Sequence, residues 1–466
     1  MLEATRTSRI AIGPLLAYAL PAVSLQAMMV PILLTLPPLY AQEAGLNVAA
    51  ISVALIFARA LEAVSDPLIG ALTDRTKPGP WQRAGWMCAG TPLAMISGIA
   101  LLHPPSGIGA VYLFVCLVLF YVAWTMVYIP YQSWGVELSD HFAERSRIAA
   151  FREGGSFVGY LLSALVPLVV LVLIRGQSAP SFADQARVTG WFFTISLPVF
   201  TLLCVKFVPR GQQRLQATHI PWAQMFMLVQ RNKPFTRLLV AYMFDRLALG
   251  IHFALLPFFM QYSLDMLGAF LTLSLVISVA PIVSIPVWLA LARRYGKHRV
   301  YCGANLLTAA GYASLYFTPQ GAFSVLLLST LCRGFGNAGT LILPGSMTAD
   351  AVDYDDWRSG VRQAGAHMAF LTFVQKLGLA GGAFGLVFIS WFGFTTTSGA
   401  HTPAALQGIR IGVALLPALM LIPSIALMWN FSLNERRQRI LRKRLDRRGR
   451  TPLVKVRPDY SLRSTT

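Results

Sequence analysis

The chain has 466 residues, of which 55% are hydrophobic and only 12% are charged, and its mean hydropathy is +0.58. Soluble globular proteins of this length carry about a quarter charged residues. Apolar runs of about 20 residues, long enough to cross a bilayer as helices, recur along the sequence. The composition therefore excludes a soluble protein and predicts an all-α integral membrane protein.

The apolar runs define the predicted spans. In chain order these are 12–37, 46–73, 84–103, 108–136, 154–174, 188–208, 235–262, 266–291, 299–318, 321–349, 366–393 and 404–431. The longest connection divides these twelve transmembrane helices six and six. The predicted units are an N-terminal half (1–208), a central cytoplasmic loop (209–234), a C-terminal half (235–431) and a basic cytoplasmic tail (432–466).

Basic residues explain the formal net charge of +20 and predict the orientation. Lys and Arg crowd alternate connections, and loops rich in these residues stay on the cytoplasmic side. Both termini are therefore expected to be cytoplasmic, in a multi-pass protein of the cell inner (plasma) membrane. The tail sequence NERRQRILRKRLDRRGR is expected to bind anionic lipids, and no nucleic-acid partner is expected.

Three charged residues interrupt the second span. Arg59, Glu62 and Asp66 are spaced three and four residues apart, so they share one helix face, which Ser65 borders. Each charge is costly inside a membrane, so the face must point to the bundle interior or to water. Two close carboxylates suit a proton or a sodium ion. The alternative is a static ion pair between Arg59 and one acid.

Further polar residues lie inside predicted spans. Lys376 is expected to pair with Glu62 or Asp66 across the two halves, or else to extend toward the cytoplasmic interface. Asp245 and His252 are seven residues apart and share a face, and His252 serves either proton coupling or packing. Arg333 is interpreted as a structural ion-pair partner or as a contact for an anionic group of a substrate.

Two glycine-rich segments lie within apolar helices. Gly334, Gly336 and Gly339 match the spacing of a dinucleotide-binding loop, but no strand precedes them. We interpret them, together with the glycines of GLAGGAFG in span 11, as surfaces where helices pack closely.

Four motifs in order resemble the glycoside-pentoside-hexuronide:cation symporter family of the major facilitator superfamily. They are the pattern from Arg59 to Asp74, the segment YIPYQSWGVELSDHFAERSRIAAFRE, the segment MTADAVDYDDWRSGVRQAG, and FVQKLG, which contains Lys376. The resemblance implies the major facilitator fold and alternating access. It also implies a cation site formed by Glu62, Asp66, Ser65 and Thr125, with sodium as one candidate ion.

The sequence departs from this family at the positions that bind the sugar. Helix 1 and helix 4 lack the carboxylates that hold sugars in this family. Side chains able to hydrogen-bond or stack on a solute remain, namely Tyr18, Gln26, Tyr128, Gln132, Trp134 and Gln375. A sugar, glycoside or related small solute is expected. The alternatives are a less polar or amphipathic solute such as a lysolipid, and a transporter-derived protein that no longer transports.

Charged residues at the cytoplasmic helix ends are expected to form gates that break and re-form as the halves rock. They are Asp74, Arg75, Glu137, Arg145, Arg152, Asp350, Asp353 and Arg362. The seven histidines form no metal-binding or catalytic motif, and no P-loop occurs, so an enzyme is not expected. No cofactor is expected beyond the coupling proton or sodium ion, and the protein is expected to act as a monomer.

Overall fold

The computed structural model describes most of the chain as helices joined by short connections. The described residues are 10–76, 81–105, 107–139, 142–210, 230–359, 364–395, 401–433 and 435–450.

The described residues of the N-terminal half form seven α-helices. They are α1 (Ile12–Leu34), α2 (Leu36–Gln42), α3 (Val48–Arg75), α4 (Gln82–Leu102), α5 (Ala110–Glu137), α6 (Phe142–Pro167) and α7 (Phe182–Phe207). Asn47 and Ser181 accept hydrogen bonds from the first-turn amides of α3 and α7, which fixes where these helices begin. A π-helical segment, Leu168–Ile174, continues α6.

The C-terminal half continues the same back-and-forth path. Its helices are α8 (Lys233–Phe258), α9 (Phe270–Tyr295), α10 (Lys297–Tyr316), α11 (Phe323–Ser359), α12 (Ala364–Leu379), α13 (Gly382–Trp391), α14 (Pro403–Arg410) and α15 (Leu416–Trp429). Gly296, with φ of 87°, makes the tight turn between α9 and α10. A final helix, α16 (Glu435–Arg450), lies in the basic tail.

The predicted spans agree with the helices, apart from their boundaries and continuity. Eleven of the described helical segments are long and apolar enough to cross a membrane. The predicted span 299–318 coincides with α10, which is helical but too polar to be among them. Span 5 begins earlier than predicted, because α6 starts at Phe142. Span 11 is broken into α12 and α13.

Each half packs its own helices around a core. In the N-terminal half α1 packs against α6 and α7, and α5 packs against α3 and α4. In the C-terminal half α8 packs against α12 and α15, and α11 packs against α9 and α10.

The two halves meet mainly at one end of the bundle. We call the end where α1 begins and α15 ends the terminal end, and the opposite one the far end. The Gln42 amide donates to Gln261 Oε1 at 2.6 Å, and the rings of Phe182 and Phe270 lie 5.2 Å apart. These contacts join helix ends at the far end. There α1 also contacts α8, α3 contacts α13, and α6 contacts α9.

Helix α3 has two opposite faces. Phe57, Val64 and Leu68 are 60%, 66% and 59% exposed, whereas Glu62 is 3% exposed. An apolar face of this kind suits lipid, and the charged face turns inward. This arrangement confirms that the charged stripe points to the bundle interior.

The glycine-rich segments pack closely, as predicted. A Cβ on Gly336 would lie 2.1 Å from Thr308 Oγ1, and one on Gly378 would lie 2.4 Å from Arg246 Cβ. A further close contact, between α6 and α1, was not predicted from the sequence. There a Cβ on Gly155 would lie 2.4 Å from the backbone oxygen of Ala19, and a Cβ on Gly159 would lie 2.2 Å from that of Val23.

Candidate functional site

Four charged side chains meet between α3 and α12. Arg59 Nη1 donates to Glu62 Oε2 at 2.7 Å, and Lys376 Nζ donates to Glu62 Oε1 at 3.0 Å. Lys376 Nζ also forms an ion pair with Asp66 Oδ2. The cluster balances two cations with two carboxylates. Because α3 and α12 belong to different halves, Lys376 links the halves through these acids.

Helix α5 supplies two further groups to this cluster. Thr125 Oγ1 donates to Asp66 Oδ1 at 2.7 Å, and the Tyr121 ring lies 4.5 Å from the Arg59 guanidinium carbon. A cation over an aromatic face is favourable where water is excluded. Tyr121 was not predicted from the sequence. It stands four residues before Thr125 and therefore shares a face of α5 with it, and this spacing could have identified it.

Access to the cluster is uneven. The Glu62 side chain is 2% exposed, whereas those of Asp66 and Lys376 are 24% and 29% exposed. A cation entering from water therefore reaches Asp66 and Lys376 before Glu62. The hydroxyl of Ser65 donates to the backbone oxygen of Glu62 at 3.1 Å, so it does not contact either carboxylate directly.

The charged cluster is not a preformed metal-binding site. Within the described ranges, no group of three or more His, Cys, Asp or Glu side chains is placed to hold a metal ion. The oxygen donors present are the two carboxylates and Thr125. A cation bound here would take the position that the Lys376 ammonium occupies.

The predicted substrate contacts fall into two groups. Tyr18 and Trp134 are buried in the N-terminal half: Tyr18 donates to the Tyr131 backbone oxygen at 3.2 Å, and Trp134 donates to the Pro209 oxygen at 3.0 Å. These two side chains therefore do not face open space. Four others are only half-buried, namely Gln26, Tyr128, Gln132 and Gln375. Gln375 Oε1 accepts from the Tyr242 hydroxyl at 3.2 Å.

Span 7 carries two separate polar clusters. Asp245 Oδ2 accepts from Arg246 Nη2 at 2.5 Å, and the same nitrogen donates to Thr340 Oγ1 at 2.7 Å. His252 lies instead beside Arg333, and Arg333 Nη1 donates to His252 Nε2. The shared face of Asp245 and His252 does not bring these two residues into one site.

The predicted gating residues that the structure describes lie at the terminal end. Arg83 pairs with Glu137 at 2.8 Å, and Lys297 pairs with Asp350 at 2.6 Å. Further contacts are those of Arg152 with Glu153 at 2.7 Å, Gln438 with Asp353 at 3.1 Å, and Arg145 with the Ser139 oxygen at 2.6 Å. Arg75 is exposed at the end of α3. The side chain of Asp74, and Arg362, lie outside the described residues.

A narrow cavity adjoins the charged cluster. Arg59 and Tyr121 line it beside apolar residues of both halves, including Leu55, Ala254 and Leu379. A bundle of apolar helices in two halves, with ionised side chains and a cavity between them, defines a membrane transporter of the major facilitator fold.

The sequence identifies the family. The chain belongs to the MFS/sugar transport protein family, whose sequence profile matches residues 17–435. The resemblance to the glycoside-pentoside-hexuronide:cation symporters is thereby confirmed, and the chain is a multi-pass transporter rather than an enzyme.

Relatives and solved structures agree with this assignment. The chain is 23% identical over 421 residues to the glucuronide carrier protein homolog of Escherichia coli, covering 88% of this chain and 90% of that protein. It is 25% identical to the sodium-dependent lysophosphatidylcholine symporter 1 of Mus musculus, covering 65% and 62%. The crystal structure of a D-xylose-proton symporter shares the fold, with a TM-score of 0.65 and 16% identity over 90% of this chain and 98% of that chain.

Proposed function

We propose that the protein is a secondary active symporter that couples the movement of a proton or a sodium ion to the transport of a small organic solute, namely a sugar, a glycoside or a related compound. The observation that carries this proposal is the contact of one lysine, Lys376, with both Glu62 and Asp66 across the two halves. A cation that binds these acids must compete with the lysine.

The competition supplies a coupling mechanism. A proton on Asp66, or a sodium ion between the two acids, removes the attraction that holds Lys376 against α3. Lys376 then leaves the acids, and the halves lose one link near the middle of the bundle. The two states differ in electrostatic contacts, as a cation-driven shift in their equilibrium requires.

The contacts between the halves support one arrangement of this cycle. The far end is closed by pairs such as Gln42 with Gln261, and Lys297 and Asp350 pair within the C-terminal half at the terminal end. With cytoplasmic termini, this state faces inward. In the opposite state the gating acids of α11 exchange partners and bind the basic residues that begin α6.

The proposed substrate class is based on the polarity of half-buried side chains between the helices. Gln26, Tyr128, Gln132 and Gln375 offer hydrogen bonds from half-buried positions, which suits a sugar or glycoside, and one relative is named a glucuronide carrier homolog. A second candidate is an amphipathic solute such as a lysolipid. It is favoured by the mainly apolar lining of the cavity beside Arg59 and by the relative named for lysophosphatidylcholine.

The basic residues of the tail indicate which membrane surface the protein contacts. The tail helix α16 docks on α11 through Gln438 and Leu441, both 7% exposed, and its sequence carries many basic residues. We assign those that face outward to anionic lipids of the inner membrane. The two halves complete the site within one chain, so a monomer suffices.

Transport in proteoliposomes tests the proposal. Uptake of radiolabelled glycosides is measured with an inward sodium gradient, an inward proton gradient or neither, for the wild type, Glu62→Gln and Asp66→Asn. We expect one gradient to drive accumulation in the wild type and neither variant to accumulate solute. Equal uptake without any gradient, or accumulation that survives both substitutions, would show that the acids do not couple transport.

Substitutions of Thr125 and Ser65 distinguish a side chain that contacts Asp66 from one that only lies nearby. Thr125→Val removes the hydrogen bond to Asp66 and keeps the side-chain shape, so we expect gradient-driven uptake to fall about tenfold, as loss of a hydrogen bond to a charged group implies. Ser65→Ala removes only a bond to a backbone oxygen and is expected to change uptake by less than about twofold. Equal losses in initial uptake rate would contradict this assignment.

A further inference from the structure

Arg333 is a buried cation in the middle of the C-terminal half. It lies on α11 and is 4% exposed. A charge at this depth normally pairs with an opposite charge. Among the residues that the structure describes, Arg333 forms no ion pair with a carboxylate. The structural ion pair that the sequence allowed is therefore not what holds this side chain.

Neutral groups orient the guanidinium instead. Arg333 Nη2 donates to Thr330 Oγ1 at 2.8 Å, Nε donates to the Ser329 backbone oxygen at 3.3 Å, and Nη1 donates to His252 Nε2. A guanidinium has five N–H donors. These contacts use three of them and leave one on each terminal nitrogen, and a guanidinium with donors left on both terminal nitrogens can bind a carboxylate, sulfonate or phosphate.

The histidine is held neutral by this geometry. Arginine can only donate, so Nε2 of His252 must accept and its proton must reside on Nδ1. Nδ1 lies 3.1 Å from the backbone oxygen of Val413, to which it donates. His252 therefore positions the guanidinium without adding charge, and the cluster keeps one positive charge.

The cluster lies near one helix of the N-terminal half. Tyr160 of α6 lies within electrostatic range of Arg333, although the two residues belong to different halves. Tyr160 also lines a narrow cavity between the halves, together with Ser163 of the same helix and Ser274 and Ser278 of α9. Arg333 does not itself line this cavity, so an anionic group would reach the guanidinium past the Tyr160 phenol when the halves open around the cavity.

We propose that Arg333, positioned by His252 and Thr330, binds the single anionic group of the transported solute. The group is a carboxylate or sulfonate of a sugar acid, or the phosphate of a lysolipid. This inference rests on the proposed transport function and narrows it from small organic solutes to anionic ones.

Matched ligand pairs test the inference on the purified full-length protein. Methyl β-D-glucuronide carries a carboxylate at C6 where methyl β-D-glucoside carries a hydroxymethyl group, and lysophosphatidic acid differs from monoacylglycerol only in its phosphate. Dissociation constants are measured by calorimetry for the wild type, Arg333→Gln and Arg333→Lys. Arg410→Gln is the control, since Arg410 contacts Ser263 and the Tyr316 oxygen at the far end. Melting temperatures are also measured in sodium sulfate and in sodium chloride of equal ionic strength, to test whether an oxyanion stabilises the protein.

We expect the anionic member of one pair to bind about 10- to 100-fold more tightly to the wild type, the range that hydrogen bonds to a charged group imply. Arg333→Gln should lose this preference while it still binds the neutral member, Arg333→Lys should keep part of it, and Arg410→Gln should keep all of it. The pair that shows the preference identifies the source of the anion.

Other outcomes overturn the inference in distinguishable ways. If the wild type binds both members of a pair equally, or if Arg333→Gln keeps the preference, the anion site is wrong and the transport function stands. If no member of either pair binds, and sulfate stabilises the wild type no more than chloride does, both the anion site and the proposed solute classes are wrong.

Discussion

Lys376→Met is expected to abolish gradient-driven uptake and to make the protein's stability depend strongly on cations. Methionine keeps an unbranched apolar stem but removes the ammonium that contacts Glu62 and Asp66. Arg59 then remains as the only cation beside two carboxylates within the described cluster. Removal of one partner from a buried ion pair is destabilising by about 3–5 kcal/mol, unless another cation replaces it.

A sodium titration and a pH titration of the melting temperature check this prediction. We expect the variant, more than the wild type, to be stabilised by added sodium or by added protons, because either one fills the vacant position by mass action. Uptake in proteoliposomes should fall about 100-fold, since the cation no longer shifts an equilibrium between two lysine positions.

Lys297→Met provides the matched control. Lys297 also pairs with an acid, Asp350, but its side chain is 34% exposed at the terminal end. We expect it to leave the cation dependence of stability unchanged. If Lys376→Met melts like the wild type at every sodium concentration and pH and still accumulates solute, Lys376 does not compete with the coupling ion.

Gly159→Ala is expected to disrupt the packing of α6 on α1, although it adds one methyl group. That carbon would lie 2.2 Å from the Val23 backbone oxygen, and a backbone in a packed helix cannot move aside as a side chain can. Overpacking of this kind destabilises by about 1–3 kcal/mol or more. We expect a large loss of monodisperse protein in size-exclusion chromatography and a lower melting temperature in what remains.

Gly154→Ala is the matched control on the same helix. Nothing lies within 4 Å of a Cβ built there, and alanine favours a helix over glycine by about 1 kcal/mol. The same substitution should therefore be neutral or stabilising at this position. Similar yields and melting temperatures for the two variants would contradict the close contact between α6 and α1.

The sequence predicted features that depend on the membrane as a solvent. Charges at Arg59, Glu62 and Asp66 are too costly to face lipid, so their inward direction followed from the helix period alone. The pairing of Lys376 with these acids followed from the same argument, since a lysine at that depth needs a partner.

Features that depend on the meeting of distant helices could not be predicted. The spacing of Tyr121 and Thr125 puts both on one face of α5, but nothing in the sequence turns that face toward Arg59, or His252 toward Arg333. Each pair joins helices whose relative rotation is set by packing. The contact of Gly155 and Gly159 with α1 was missed for the same reason. The early start of α6 was missed because its first turns are polar and extend beyond the apolar run.

The interruption between α12 and α13 bears on how ion binding reaches the rest of the molecule. Lys376 lies three residues before Leu379, where α12 ends, and Ala380 and Gly381 separate it from α13. Beyond this joint α13 packs against α3. The lysine-bearing segment can therefore change its angle with few backbone hydrogen bonds broken, while α13 keeps the far end sealed. In the coupling mechanism that we propose, release of Lys376 would change the backbone at Gly381, and the gate at the terminal end would respond to the ion before the contacts at the far end do.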